Sequence, residues 1–265
     1  MTLIAGVAGQ PIAHSLSPLI HKAWIAAAGL DADYRAFAPE DEVGFQALVA
    51  EGRTGRLRGL NVTAPFKAAS MALADEVSET ARLCGSANLL VFEAGRVWAD
   101  STDGAGLMAA LAEQAPALDL RGRRVLIFGA GGAARAAAAA LKGAGAEVGV
   151  LNRTPARAEA LAADLGVRVA TTEAIENAVL VVNALSVSPE IDLGGLRPDA
   201  VLMDMTYRPL LTPFLTAGRA RGLSTVDGLA MLIGQARPSF EALFGSEPPP
   251  VDVRHLALEA LGETA

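Results

Sequence analysis

Short runs rich in Val, Ile and Leu alternate along this chain with Ala- and Leu-rich stretches of helical period. That alternation predicts βα units on parallel sheets, an α/β fold. In the first hundred residues the pattern predicts strands near 3–7, 34–38, 59–62, 88–93 and 97–99, with helices near 18–28, 41–51, 66–74 and 78–83. A second rhythm begins after Asp103. A helix over about 104–114 leads to the strand "RVLIFG", and further strands are expected near 148–151, 179–183, 201–204 and 224–226. From Met231 onward the pattern is helical again, interrupted by "GSEPPPVD". Two domains follow: residues 104–230 as a nucleotide-binding domain, and residues 1–103 with 231–265 as the other, its C-terminal helices completing an N-terminal α/β body.

The segment "GQPIAHSLSPLIHKAW" reads as a helix start, with Ser17 as N-cap and Pro18 at the first helical position. Ser15 is then a second hydroxyl without an evident structural task. In an extended segment alternate residues face one side, so Ser15 and Ser17 are expected to point together.

Composition narrows the classes. At 52% hydrophobic over 265 residues, the chain supports one or two sizeable cores. It has 22 Lys and Arg against 29 Asp and Glu, a poor basis for neutralising nucleic-acid phosphates. Cys84 is the single cysteine, which excludes an intramolecular disulfide and a four-cysteine metal site. His14, His21 and His255 have no zinc-ligand spacing, so no metal is expected. The start "MTLIAGVAG" lacks the basic and long apolar regions of a signal peptide, and charges interrupt every apolar run too early to span a bilayer. The expectation is a cytoplasmic protein with no nucleic-acid or membrane partner. A serine-hydrolase reading of His14-Ser15 fails, because there is no G-x-S-x-G elbow.

The sharpest motif is "VLIFGAGGAARAAAAAL". An apolar strand runs into Gly129, Ala130, Gly131, Gly132, Ala133 and Ala134 and then into a helix. This is G-x-G-x-x-A in the strand–turn–helix context that lets backbone amides approach a pyrophosphate at a positive helix end. About twenty residues on, NAD-binding domains place an acidic residue for the ribose hydroxyls. Here Asn152, Arg153 and Thr154 stand there, with Arg157 one turn later. Guanidinium groups bind a 2′-phosphate that a carboxylate would repel, so the expected cofactor is NADP(H). The alanine run 136–140 is read as good helix former and nothing more.

The remaining polar singularities lie near predicted strand ends: Asn61, Thr63 and Lys67 in "LNVTAPFK", Asn88 in "GSANLLV", and Thr102 and Asp103 in "STDGAG". Polar groups gathered at strand ends are where ligands bind in open α/β sheets.

These segments, together with "GVAGQPIAHSLSPLIH", "NRTPARAEALA", "DMTYRPLLTPFL" and "DGLAMLIGQA", run in order from residue 6 to 236, and the chain resembles the shikimate dehydrogenase family. The resemblance implies an NADP-dependent oxidoreductase that interconverts 3-dehydroshikimate and shikimate on the way to chorismate and the aromatic amino acids. It implies a Rossmann-like NADP domain and a substrate domain, and a monomer or homodimer. Lys67 and Asp103 resemble the family's catalytic pair. Ser15 and Ser17 resemble the groups holding the substrate carboxylate, with Tyr207 near it. Thr63, Asn88, Asp103 and Gln235 resemble those binding the ring hydroxyls. Gly129, Ala130, Gly131, Gly132 and Ala133 match the pyrophosphate loop; Asn152, Arg153, Thr154 and Arg157 match the adenosine-phosphate site; Met205 and Gly228 resemble nicotinamide contacts.

The match departs at Lys22, where Asn is usual, at Leu89 and Leu185, where Thr is usual, at Ser101, where Asn is usual, and at Ala230, where Gly is usual; a Trp common near the end of the last motif's helix is absent. None of these is a residue assigned to chemistry. Leu89 and Leu185 alter the surroundings of substrate and cofactor and leave a quinate/shikimate or aminoshikimate paralogue as the alternative. A non-catalytic NADP(H)-binding sensor is a third reading, which loss of Lys67 or Asp103 would have favoured.

Overall fold

A computed structural model describes residues 2–263. The chain divides into two compact units, Met1–Thr102 with Gln235–Ala265, and Asp103–Gly234. Asp103 and residues 231–234 therefore fall with the second unit rather than the first.

The first unit opens with β1 (Leu3–Ala8), α1 (Ser17–Ala27), β2 (Ala32–Phe37), α2 (Glu42–Arg53), β3 (Gly59–Val62) and α3 (Lys67–Ala72). It continues through β4 (Glu76–Val77), α4 (Glu79–Cys84), β5 (Leu89–Glu93) and β6 (Arg96–Asp100). The sheet order is β2-β1-β3-β5-β6-β4. The expected βα pattern holds for β1, β2 and β3, which are parallel. β5 runs antiparallel to both β3 and β6. The reversal is local chemistry: Ala94 and Gly95 take φ of +49° and +78°, the doubly left-handed turn that suits a two-residue hairpin. β4 escapes the pattern because it is two residues long and exists through its pairing with Trp98 and Ala99.

Phe45 stacks on Phe66 with centroids 4.8 Å apart and planes at 5°, and Leu60, Leu90 and Val97 are fully buried around them. Each such side chain contributes roughly 1.5–3 kcal/mol by leaving water. This packing fixes the carboxyl end of β3 and the start of α3, where Thr63 and Lys67 stand.

The second unit contains α5 (Asp103–Gln114), β7 (Arg124–Phe128), α6 (Gly132–Gly143), β8 (Glu147–Leu151), α7 (Pro155–Leu165) and β9 (Arg168–Val169). Then come β10 (Ala178–Asn183), β11 (Val201–Asp204), α8 (Pro213–Ala220) and β12 (Ser224–Val226), with 3-10 turns at Thr172–Asn177 and Leu193–Gly195. The sheet order β12-β11-β10-β7-β8-β9 is wholly parallel. Counted from β7, this is the doubly wound dinucleotide-binding order, with its reversal between β7 and β10. α9 (Gly228–Phe244) begins in this unit and ends in the first, where α10 (Val253–Leu261) follows.

The alanine run does more than favour a helix. Ala136, Ala137 and Ala138 are buried, and a Cβ on Gly104 of α5 would lie 3.1 Å from the Ala140 Cβ and 3.2 Å from the Ala136 carbonyl. Small residues on both helices let their backbones approach, which a larger side chain would prevent.

Candidate active site

In the first unit the functional side chains hang on segments that leave the carboxyl ends of β1 and β3 and the amino end of β5. Gly9 follows β1, and a Cβ there would meet the Thr63 methyl at 2.3 Å, so the two segments touch only because Gly9 has no side chain. Thr63 donates its N–H to the Ala8 carbonyl at 2.9 Å, and its own carbonyl accepts from Phe66 N–H at 3.0 Å, closing the turn that starts α3. Lys67 is the first residue of α3 and half-buried. Its carbonyl accepts from Ala87 N–H at 3.0 Å and from Ser70 Oγ at 2.8 Å, which ties it to the residue before Asn88.

Asn88 is buried and paired on both ends of its amide. Oδ1 accepts the Thr102 N–H at 2.7 Å; Nδ2 donates to Thr102 Oγ1 at 3.0 Å and to Gln235 Oε1 at 3.2 Å. Thr102 Oγ1 also reaches Gln235 Oε1 at 3.2 Å. Two predicted hydroxyl-binding residues, Asn88 and Gln235, are thus brought together, with Thr102 as their common partner.

The helix-start reading of Ser17 is corrected. Ser17 is the first residue of α1, the N-cap position belongs to Leu16, and no side chain caps it. Leu16 has φ −84° and ψ −8°, and Ser15 N–H donates to the Ile12 carbonyl at 3.0 Å, so the segment is a turn and not an extended strand. The alternation argument for Ser15 and Ser17 therefore lapses. The hydroxyl that serves the helix start is Ser15, whose Oγ accepts the Ser17 N–H at 3.3 Å. With a lone pair committed there, the Ser15 O–H remains the group that donates. Ser17 itself is buried.

Beneath this cluster lies His21, wholly buried and stacked on Tyr34 at 4.1 Å with parallel rings. Neither imidazole nitrogen has a hydrogen-bond partner among the described residues. Desolvation pushes its pKa down to about 3, so it is a neutral packing group. Burial pushes the Tyr34 phenol above its ordinary value, which keeps its proton on; that O–H donates to Asn61 Oδ1 at 2.7 Å. Asn61 and Thr102 are among the polar groups at predicted strand ends, whereas their buried partners Tyr34 and Ser239 escape a reading based on motif ends. The available signals were an Asn inside an apolar strand and a Ser four residues after Gln235 on one helix face.

In the second unit, Gly129 ends β7 with φ +122°, a conformation reserved in practice for glycine, and a Cβ there would press on the Ala184 carbonyl at 3.2 Å. The ends of β7 and β10 thus meet at the switch point. α6 starts at Gly132 with Gly131 as N-cap and no side-chain cap; the space where a Gly131 Cβ would sit is open to 4 Å. Ala130 and Ala133 are half-buried beside it. Uncapped first-turn amides next to open space fit a pyrophosphate.

After β8, Asn152 Nδ2 donates to the Thr154 carbonyl at 3.0 Å and shapes the turn into α7. Thr154 occupies the N-cap position of α7 with Pro155 following, and its side chain makes no cap bond. Arg153, Thr154 and Arg157 are exposed, and the first turn of α7 carries no acidic residue. This cationic edge suits a 2′-phosphate.

A buried carboxylate organises the end of β11. Asp204 accepts from Thr206 N–H at 2.9 Å, from Thr212 Oγ1 at 2.8 Å and from Asn183 Nδ2 at 3.1 Å. Asn183 in turn takes the Leu185 N–H at 3.1 Å on its Oδ1 and the Met205 N–H at 3.0 Å on its carbonyl. The loop bearing Met205 and the half-buried Tyr207 is fixed by these bonds. Gly228 belongs with it: a Cβ there would lie 2.5 Å from the Met205 and Thr206 carbonyls. Leu185 packs against the Gly129 turn, and Leu89 is buried in the first sheet. Asp103 begins α5 and is buried. Among the described residues no group of His, Cys, Asp or Glu could hold a metal, and no helix is long and apolar enough to cross a membrane.

Comparison with known proteins gives the family. Residues 7–90 match a family model described as the shikimate dehydrogenase substrate binding domain, and residues 110–188 match one described as shikimate / quinate 5-dehydrogenase. A shikimate dehydrogenase (NADP(+)) of Caulobacter vibrioides is 51% identical, covering 98% of this chain and 96% of its own. One of Maricaulis maris is 44% identical over the same shares. The crystal structure of the Thermus thermophilus shikimate 5-dehydrogenase, in complex with NADP(H) and shikimate, superposes with a TM-score of 0.91 at 37% identity, covering 98% of this chain and 100% of that one. The chain belongs to the shikimate dehydrogenase family.

Proposed function

We propose that this protein is an NADP-dependent shikimate dehydrogenase that reversibly reduces 3-dehydroshikimate to shikimate, a step toward chorismate and the aromatic amino acids. The observation that carries the reading is nearly full-length similarity to relatives of that name, in a chain that keeps Lys67 and Asp103.

NADP(H), when bound, supplies or takes up the hydride. Gly129, Ala130, Gly131, Gly132 and Ala133 would hold its pyrophosphate with backbone amides; Asn152, Arg153, Thr154 and Arg157 its adenosine phosphate; Met205 and Gly228 its nicotinamide. Ketone reduction also requires one proton at the carbonyl oxygen. Lys67, as ammonium, donates it and withdraws electron density as it does so; in the oxidative direction the neutral amine accepts it back. Asp103 hydrogen-bonds the same hydroxyl and orients the lysine. Ser15 and Ser17 bind the substrate carboxylate, joined by Tyr207. Thr63, Asn88 and Gln235 bind the ring hydroxyls.

Such an enzyme works in the cytoplasm as a monomer or homodimer. The experiment is reduction of 3-dehydroshikimate by NADPH, followed by loss of reduced-nicotinamide absorbance. Stoichiometric loss with formation of shikimate supports the reading, and an unchanged absorbance refutes it.

A further inference from the structure

A buried hydrogen-bond chain runs behind Asn88 and Gln235 and includes one residue, Ser239, that no motif of the family reading calls for. It starts at Tyr34, whose O–H donates to Asn61 Oδ1 at 2.7 Å. Asn61 Nδ2 donates to the Asn88 carbonyl at 3.3 Å and to Ser239 Oγ at 2.8 Å. Ser239 Oγ lies 3.1 Å from the Gln235 carbonyl and 3.3 Å from Thr102 Oγ1. Thr102 is the group shared by Asn88 and Gln235.

The donor and acceptor inventory makes this chain directional. The Asn88 carbonyl only accepts, so the Asn61 amide nitrogen must face it, and Oδ1 is turned to Tyr34. Ser239 then receives a hydrogen from Asn61, and its own single proton goes to the Gln235 carbonyl or to Thr102. Thr102 receives from Asn88 Nδ2, and its own proton goes to Gln235 Oε1 at 3.2 Å or to Asn88 Oδ1 at 3.3 Å. The Gln235 oxygen accepts from Asn88 Nδ2 at 3.2 Å in either case, which sets its amide nitrogen as the donating end. All six side chains are buried, Ser239 and Tyr34 wholly so, and a reversed amide there would face like against like.

We infer that Ser239 is a positioning residue for substrate recognition: it links the Tyr34–Asn61 anchor to the Thr102 hydroxyl and the Gln235 main chain and so holds in place the group that the Asn88 and Gln235 amides share. This rests on the proposed roles of Asn88 and Gln235 as hydroxyl-binding groups. Ser239 touches neither substrate nor cofactor in this assignment, so its removal alters binding of the polyol and leaves the chemical step.

The test is steady-state kinetics of the full chain with shikimate and NADP+, for the wild type and for Ser239→Ala, Ser239→Cys and Tyr34→Phe. Ser239→Ala should raise KM for shikimate about tenfold and leave kcat and KM for NADP+ within about twofold, the size expected for a lost buried hydrogen bond and a misoriented amide. Ser239→Cys, a weak donor of similar volume, should fall between. Tyr34→Phe should raise the same KM, and the double variant should lose less than the product of the two, because both act through Asn61. An unchanged shikimate KM in Ser239→Ala overturns the proposal, as does a uniform loss in kcat and both KM values. Should Ser239→Ala fail to fold, unchanged KM values in Ser239→Cys and Tyr34→Phe overturn it equally. A wild type that does not oxidise shikimate refutes the functional reading itself, a result distinct from an active wild type with indifferent variants.

Discussion

Asn88 grips Thr102 twice, accepting its backbone N–H at 2.7 Å and donating to its hydroxyl at 3.0 Å. The pair spans the end of β6 and the start of β5, so the strand hairpin and the amide assigned to substrate share one geometry. Asn88→Asp keeps the shape and the Oδ1 acceptor but turns the Nδ2 donor into a second acceptor aimed at Thr102 Oγ1 and Gln235 Oε1. The expected cost is about 2–4 kcal/mol of stability, measured by urea unfolding. A variant as stable as the wild type would show that the amide donor is not needed there.

Lys67→Ala should lower kcat about a hundredfold or more while leaving KM for NADP+ within about twofold, because the role proposed for the lost group is to move a proton and not to hold the cofactor. The main-chain bonds from Lys67 to Ala87 and Ser70 do not involve the side chain and survive the substitution. Retained kcat would place the proton donor elsewhere.

Arg153→Ala should raise KM for NADP+ about ten- to hundredfold and barely change KM for NAD+, since the proposed charge-assisted hydrogen bond to the 2′-phosphate is lost and NAD+ has no such group. An equal rise for both cofactors would indicate damage to the turn into α7 and not loss of a phosphate ligand.

His21 gives the fold a pH dependence. In the unfolded chain its imidazole takes up a proton near pH 6.5, and in the folded protein burial delays this to about 3. Between those values the unfolded state binds more protons, so stability falls as pH falls, by about 1.4 kcal/mol per unit from this residue. The contribution is fully present above about 6.5. His21→Leu, of similar volume and unable to titrate, should flatten that part of the profile in urea unfolding between about pH 6.5 and 4. An identical slope in the variant would show that His21 is not the group responsible.

Whatever local chemistry determines is legible in the sequence. Strands β3, β11 and β12 fall to the residue where the β-rich runs predict them, and Gly129 to Ala134 declare a dinucleotide fold through the strand and helix that flank them. The parts that are not legible depend on partners distant in the chain. β4 and β9 are two residues each and exist by pairing. Ser17 is the right residue type for an N-cap, yet the backbone at Leu16 is helical and Ser15 supplies the hydroxyl instead. The Asn61–Ser239 bond joins residues 178 apart. Nothing local to either residue announces the other, and only the folded arrangement makes them partners.

The most direct measurement of the central claim is a two-by-two comparison of kcat/KM, with shikimate or quinate as the alcohol and NADP+ or NAD+ as the acceptor. Shikimate with NADP+ should exceed each of the other three combinations by about tenfold or more, as the proposed phosphate contact at Arg153 and hydroxyl-binding amides require. Equal or higher kcat/KM for quinate, or for NAD+, would contradict the account.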